Sequence, residues 1–312
     1  MLNYRWMIIA MLVMMVTKAK AQYDPTFSHY WALEPSFNPA AVGKESKLNI
    51  AVDYAMALTG FENNPTTMYA AADMPFYFIK SYHGAGAQML NDQIGLFSHK
   101  TFALQYAFRQ KLFGGMLGIG VQVGMISETF DGSKVDTETP NDNAFPSSEV
   151  NGSALDIGAG LYYTHRQWYV GISAKHLTAP TIQLGERQDF KIDMSYFLTA
   201  GYNIKLRNPF ISIQPSLLAR YDGTAYRVDM TGRVKYTHEK KVMYAGAAYS
   251  PTNSVTFMVG GMFHGVMLGY SYELYTSAIE AGNGGHELFV GYQMDMNLQK
   301  KGRNKHKSVR LL

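Results

Sequence analysis

The sequence predicts an all-β protein, a transmembrane antiparallel β-barrel of about 14 strands in the outer membrane, and three observations lead there. The stretch Gly115 to Ile126 alternates strictly: Leu117, Ile119, Val121, Val123 and Met125 fall on one side, with Gly118, Gly120, Gln122 and Gly124 on the other. The chain opens with a secretory leader, and no later run is apolar and long enough for a membrane helix. The connections between extended segments alternate between short and long, as bacterial barrels require.

The leader comprises residues 1–21. Arg5 is followed by the apolar run Trp6 to Val16 and by Ala19-Lys20-Ala21, which predicts cleavage between Ala21 and Gln22. An uncleaved anchor is the other reading, but the run falls well short of the about 20 apolar residues that span a bilayer. The mature chain holds no cysteine, so neither disulfides nor a thiolate zinc site can stabilise it after export.

Residues 22–46 form an irregular lead-in. Pro25, Pro35 and Pro39 exclude a regular strand or a long helix. Its aromatic residues Tyr23, Phe27, Tyr30, Trp31 and Phe37 are poorly suited to water, so the segment is expected to pack under or inside the following domain as a plug.

The barrel is expected over residues 47–298. Fourteen extended segments can be read at 47–58, 66–75, 83–91, 100–110, 114–126, 152–164, 167–176, 192–204, 209–220, 224–236, 240–250, 254–263, 265–275 and 286–297. In the tenth, Tyr226, Val228, Met230, Val234 and Tyr236 share one face while Arg227, Asp229, Thr231, Arg233 and Lys235 share the other. Such a charged face is too polar for a dry core and predicts a wet or salt-bridged lumen. Gln122 lies on the inner face, where Gln122→Arg is expected to cost much less than Val121→Arg on the lipid face.

If the first strand runs outward, the turns near residues 111–114, 165–167, 205–209, 237–240 and 264–265 are periplasmic. The long connections 127–151, 177–191 and 276–285 then lie outside, although Tyr221 to Gly223 and Pro251 to Asn253 are short for outside loops. A soluble two-sheet sandwich gives no reason for that bias. The 22 tyrosines, 17 phenylalanines and 29 glycines suit aromatic girdles and crowded walls. Mean hydropathy of -0.15 fits strands that expose only every second residue to lipid.

The net charge of +4 is concentrated in the tail, residues 299–312, where Lys300, Lys301, Arg303, Lys305, Lys307 and Arg310 meet no acid. Without these six and the leader's Arg5, Lys18 and Lys20, the 28 basic groups fall to 19 against 24 acidic ones. A mildly acidic body argues against nucleic acid as a partner. The tail reads either as a solubilising end or as a handle for an acidic periplasmic partner.

Chemistry-bearing motifs are not found. The nine histidines include no HExxH pair and read as loop or interface residues, and neither a G-x-S-x-G elbow nor a P-loop occurs. No catalytic residue, metal site or cofactor is expected. A serine and histidine meeting on the barrel wall, as in a hydrolase, is the enzymatic alternative. The loop 127–151 carries Glu128, Asp131, Asp136, Glu138, Asp142 and Glu149 against Lys134, and reads as a solvated acidic loop or a calcium-binding one without EF-hand spacing.

Three stretches together resemble the PorP/SprF family of type IX secretion system outer-membrane proteins of the Bacteroidetes. They are Tyr23-Asp24-Pro25-Thr26-Phe27-Ser28-His29-Tyr30, then Phe37-Asn38-Pro39-Ala40-Ala41-Val42-Gly43, then Leu90-Asn91-Asp92-Gln93-Ile94-Gly95 followed by Gln105-Tyr106-Ala107-Phe108. The resemblance implies a fourteen-stranded, non-enzymatic barrel that supports export and surface attachment of large secreted adhesins, with gliding motility in some relatives. Its implied partners are outer-membrane lipid, the adhesin and the periplasmic ring of the secretion machine. A passive diffusion channel for small solutes is the alternative.

Candidate partner-binding residues are Asn38, Pro39, Asn91 and Asp92, together with Lys300, Lys301, Arg303, Lys305, Lys307 and Arg310. A bland reading stands beside the first four: Asn38-Pro39 sets a turn into the first strand, and Asn91-Asp92-Gln93 caps a tight loop.

Overall fold

In a computed structural model of the chain, period-two alternation produces strands wherever it was read. The structure describes residues 23–134, 146, 148–185, 188–239, 241–251, 253–276 and 283–296. Fourteen strands form the wall: β1 (Lys47–Met56), β2 (Thr66–Phe78), β3 (Ser81–Ile94), β4 (Phe97–Leu112), β5 (Gly115–Asp131), β6 (Glu149–His165) and β7 (Trp168–Lys175), then β8 (Ser195–Tyr202), β9 (Ile211–Tyr221), β10 (Tyr226–His238), β11 (Lys241–Ser250), β12 (Ser254–Phe263), β13 (Val266–Tyr275) and β14 (Gly285–Asp295). Each pairs antiparallel with its neighbours in sequence, and β1 pairs with β14 from Lys47↔Asp295 to Met56↔His286, which closes the cylinder. Closure leaves no unpaired edge, the condition for a sheet to cross lipid.

The outward face is apolar. In β5, Ile119, Val121, Val123 and Met125 are about half exposed (47–58%), whereas Gln122 is 1% exposed. Aromatic side chains gather at both rims, with Tyr77, Phe113, Trp168, Phe210 and Phe263 at one end and Tyr54, Tyr196, Tyr221, Tyr226 and Tyr249 at the other. Three two-residue turns at the first rim carry positive φ at both positions: Ile79-Lys80, Phe113-Gly114 and His264-Gly265. That is the twist-matched hairpin geometry of short turns, and it marks this rim as the periplasmic one. Lys47 and Asp295 lie at the same rim.

Several expectations need correction. The long connection 177–191 carries structure that was not expected, with Thr181–Leu184 paired to Gln188–Lys191 in a separate hairpin. Ile182, Leu184 and Ile192 pack on Ile126, and Tyr23 borders the same apolar cluster. Both ends of the acidic stretch 127–151 are strand, since the β5–β6 ladder continues to Asp131↔Glu149. These strands have 17 residues, more than the about 9 to 11 needed to cross a membrane, so this part of the wall stands above it on the outer side. Residues 135–145 and 147, which include Asp136, Glu138 and Asp142, lie outside the described residues, so the calcium reading is not addressed.

Asn91-Asp92-Gln93 is not a loop. It pairs within β3 and β4, as Asn91↔Lys100, Asp92↔His99 and Gln93↔Ser98. Turn-forming residue types here yield to a ladder that supplies every backbone partner. Nor does Gln122 have room for a cheap arginine, for it is buried and its side-chain oxygen accepts from Gln88 (2.9 Å) and Gln105 (2.8 Å). The charged face of β10 is as expected: Arg227 pairs with Asp229 (2.8 Å) and Glu273 (3.0 Å).

Depth in lipid sets the cost of an outward charge. Val121→Arg should destabilise the barrel by about 2–4 kcal/mol, while Tyr226→Arg at the outer rim should cost roughly 0–1 kcal/mol. Urea titration in lipid vesicles, read by heat-modified gel mobility, measures the difference; equal costs would contradict this register.

Candidate functional site

The lumen is filled by residues 23–46. A segment broken by three prolines cannot satisfy its own backbone, and in the barrel the wall's inward side chains do so instead. The segment enters near the outer rim, descends between the walls and leaves at the periplasmic rim into β1.

At the outer end, the Tyr23 hydroxyl donates to Glu128 at 2.5 Å, and Glu128 is also paired with His99. The Tyr23 ring meets His99 and His176 edge-on, each with centroids 5.3 Å apart. Asp24 is paired with Lys175 and with His176 (3.3 Å), and His176 reaches Asp156 through its other nitrogen at 3.0 Å. Arg220 donates to the carbonyls of Asp24 (3.3 Å) and Pro25 (3.1 Å) while facing Asp229 at 3.5 Å. Residues 23–25 thus join His99 and Glu128 on β4 and β5 to Arg220 and Asp229 on β9 and β10 across the lumen.

Midway, Phe27 packs on Tyr69, and the backbone N–H groups of Ser28 (2.6 Å) and His29 (2.9 Å) donate to Glu287. The Tyr30 hydroxyl meets Ser216 at 2.9 Å. Trp31 is clamped between the Arg233 guanidinium, 3.5 Å from its ring centre, and the edge-on ring of Tyr244. Phe37 stacks on Phe197, and its carbonyl accepts from Ser173 at 2.6 Å.

At the periplasmic end two short 3-10 turns, Glu34–Ser36 and Pro39–Ala41, compact the chain. Buried Glu34 is paired with Lys44 and accepts from the Tyr162 hydroxyl at 2.8 Å. Asn38 does not set a turn directly into β1. It caps the second 3-10 turn by accepting from Ala40 N–H at 2.9 Å and donates to the wall carbonyl of Leu161 at 3.1 Å. Arg109 donates to the carbonyls of Ala40 and Val42, and Gly43 N–H donates to Asp73 at 2.7 Å. The wall is thinned to admit this turn: a Cβ on Gly84 would overlap the Val42 carbonyl, and one on Gly120 would overlap the Ala40 backbone.

Two cavities, each about 460 Å³, flank the segment. The outer one is lined by Ser28, Ala55, Thr67, Arg227, Ser271 and Glu287. The periplasmic one is lined by Trp31, Lys44, Ala51, Tyr69, Lys235 and Phe289. Adjacent inward positions of the same strands thus line opposite cavities, with the rings of Phe27, Tyr69, His29 and Phe289 between them.

Of the candidate partner-binding residues, Asn38 and Pro39 are buried against the wall and Asp92 is buried in β3, accepting from Thr67 at 2.6 Å. Asn91 is half-buried beside Ser98 (3.4 Å). Lys300, Lys301, Arg303, Lys305, Lys307 and Arg310 lie outside the described residues. The histidines read as loop residues are in part lumen residues instead: His29, His99 and His176 each face a carboxylate. The missed residues Asp53, Asp73, Asp156 and Glu287 share one legible sign, a carboxylate on the inward face of a strand. Among the described residues, His29, Asp53 and Glu287 form the one set of three groups close enough to hold a metal ion.

The family model described as "Type IX secretion system membrane protein PorP/SprF" matches residues 19–292. No curated protein matches the chain. Among solved structures, a Pseudomonas aeruginosa FadL homologue is similar at 11% identity and TM-score 0.50, over 83% of this chain and 93% of that one. The CymD monoaromatic hydrocarbon channel is similar at 12% identity and TM-score 0.49, over 90% and 96% of the two chains. The P. putida toluene transporter TodX is similar at 10% identity and TM-score 0.47, over 83% and 93%. At such identity the FadL homologue supports the outer-membrane barrel fold alone.

The contact at Gly120 is testable because the chain has no native cysteine. A Val42→Cys thiol, buried in the parent, should resist maleimide in detergent. Adding Gly120→Val should expose it without loss of heat-modified mobility. Equal labelling in both backgrounds would show that the turn is not held by the wall at this point.

Proposed function

The chain belongs to the PorP/SprF family of type IX secretion system membrane proteins, and from that premise we propose that it is a non-enzymatic, internally plugged barrel that supports export and surface attachment of a large secreted adhesin. The single observation that carries this reading is the filled lumen. Residues 23–46 are fastened at every level, by Asp24 to Lys175 and His176, by Trp31 to Arg233, and by Gly43 to Asp73. A diffusion channel needs a continuous wet path, whereas here rings separate the two cavities. A barrel that holds a partner needs only a rigid wall and a surface at each rim.

The outer rim has the raised wall of β4, β5 and β6 with the hairpin 181–191 folded against it, a surface that supports docking of the adhesin on that side. The periplasmic rim carries both chain ends of the barrel, and the basic tail that follows β14 is assigned to the ring components of the machine.

Deleting residues 23–37 behind an intact leader should leave a barrel that assembles but conducts in planar bilayers, where the parent stays closed. A parent already as conductive as the deletion would replace this reading with the diffusion channel.

Exposed ion pairs contribute roughly 0–1 kcal/mol each, so the six tail cations act only in concert. Replacing all six by glutamine should leave assembly intact and weaken co-purification with periplasmic components, most in low salt. Unchanged co-purification at every salt concentration would reduce the tail to a solubilising end.

A further inference from the structure

Where the first and last strands meet, three ligand-type groups converge from three separate segments. His29 comes from the luminal segment, Asp53 from β1 and Glu287 from β14, and one ligand atom from each lies within 4.8 Å of the others. All three are buried, at 0%, 1% and 5% exposure.

Glu287 is well held. It accepts the N–H groups of Ser28 and His29, and its Oε1 lies 2.5 Å from His29 Nδ1. Asp53 is held only through Glu287: its carboxyl group faces the Glu287 carboxylate, no N–H or hydroxyl donates to either of its oxygens, and no lysine or arginine among the described residues pairs with either group. The other imidazole nitrogen, Nε2, also lacks a partner. Two buried carboxyl groups facing each other beside one imidazole are costly unless a proton or a cation sits between them.

We propose that His29, Asp53 and Glu287 bind one divalent transition-metal ion, for which Zn²⁺ is the probe, and that the ion pins the luminal segment to the seam of the barrel. One imidazole nitrogen and two carboxylates form a donor set suited to such ions, and their charge matches that of a divalent cation with a neutral imidazole. Ligands at about 2.0–2.2 Å from a common ion stand within roughly 4.4 Å of one another, so the observed cluster needs only a small contraction.

Binding replaces the proton held between His29 Nδ1 and Glu287 Oε1, and that proton leaves to solvent. The outer cavity, lined by Ser28, Ser271 and Glu287, provides both a path of entry and water for the remaining positions. Ser271, which pairs with Glu287 across β13 and β14, has an unpartnered hydroxyl there.

The full chain, purified in detergent without chelator, is stripped with EDTA and titrated with ZnCl₂ by calorimetry. The parent should take up about one Zn²⁺ per chain, with heat-modified unfolding moved to higher temperature. Asp53→Asn should lose at least about 100-fold in affinity and all of the thermal shift, since even supporting groups around a metal cost about 10- to 100-fold. Should Asp53→Asn fail to assemble, His29→Gln, whose site lies on the luminal segment, gives the same readout. Equal zinc uptake by parent and variant would place the ion elsewhere, and no uptake by the stripped parent would mean that the carboxylates share a proton instead; either result overturns the proposal.

Discussion

The barrel depends on pairing between a backbone that cannot bond to itself and a wall whose inward side chains have no bulk water to bond to. Each half alone would leave buried donors and acceptors unmet, at about 1–3 kcal/mol apiece. Arg220, Arg109, Ser173, Glu287 and Asp73 each spend their hydrogen bonds on main-chain atoms of residues 24–43. The polarity of the lumen is therefore no sign of a water channel. It is the complement of an irregular segment.

Charge follows the same logic. The lumen is crossed by carboxylates and cations from distant strands, and they are balanced in groups: Asp24 with Lys175 and His176, Glu34 with Lys44, Asp229 and Glu273 with Arg227. Removing one member of a buried pair leaves its partner uncompensated, which costs far more than the pair contributes. Asp53 stands apart from this pattern, with neither a cation among the described residues nor an N–H or hydroxyl donor on its oxygens.

What could be read in the sequence was what is local. Alternation in Gly115 to Ile126 and in Tyr226 to Tyr236 repeats every two residues, so strand, face and lipid exposure follow from a dozen neighbours. The Arg227–Asp229 pair was visible for the same reason, both residues lying on one face of one strand. The His29–Glu287 contact was not, because 258 residues separate its members and only the closed cylinder and the threaded segment bring them together. Asn91-Asp92-Gln93 was misread because turn propensity is a weak preference beside a full ladder of backbone bonds. Asn38 carried the sign of a cap, yet its second task, holding the wall carbonyl of Leu161, depends on a glycine-lined approach that no residue pattern in its own neighbourhood announces.

The path of the luminal segment constrains the order of assembly. Its last residues turn directly into β1, one half of the β1–β14 seam, while Tyr23 reaches the opposite rim. A finished cylinder would have to be threaded from the periplasmic side by a bulky, aromatic chain through a bore that its rings occupy between the two cavities. An open sheet has only to curl around it. On this path the segment docks while the seam between β1 and β14 is still open, carried in by a closure that the wall's own strand pairing drives.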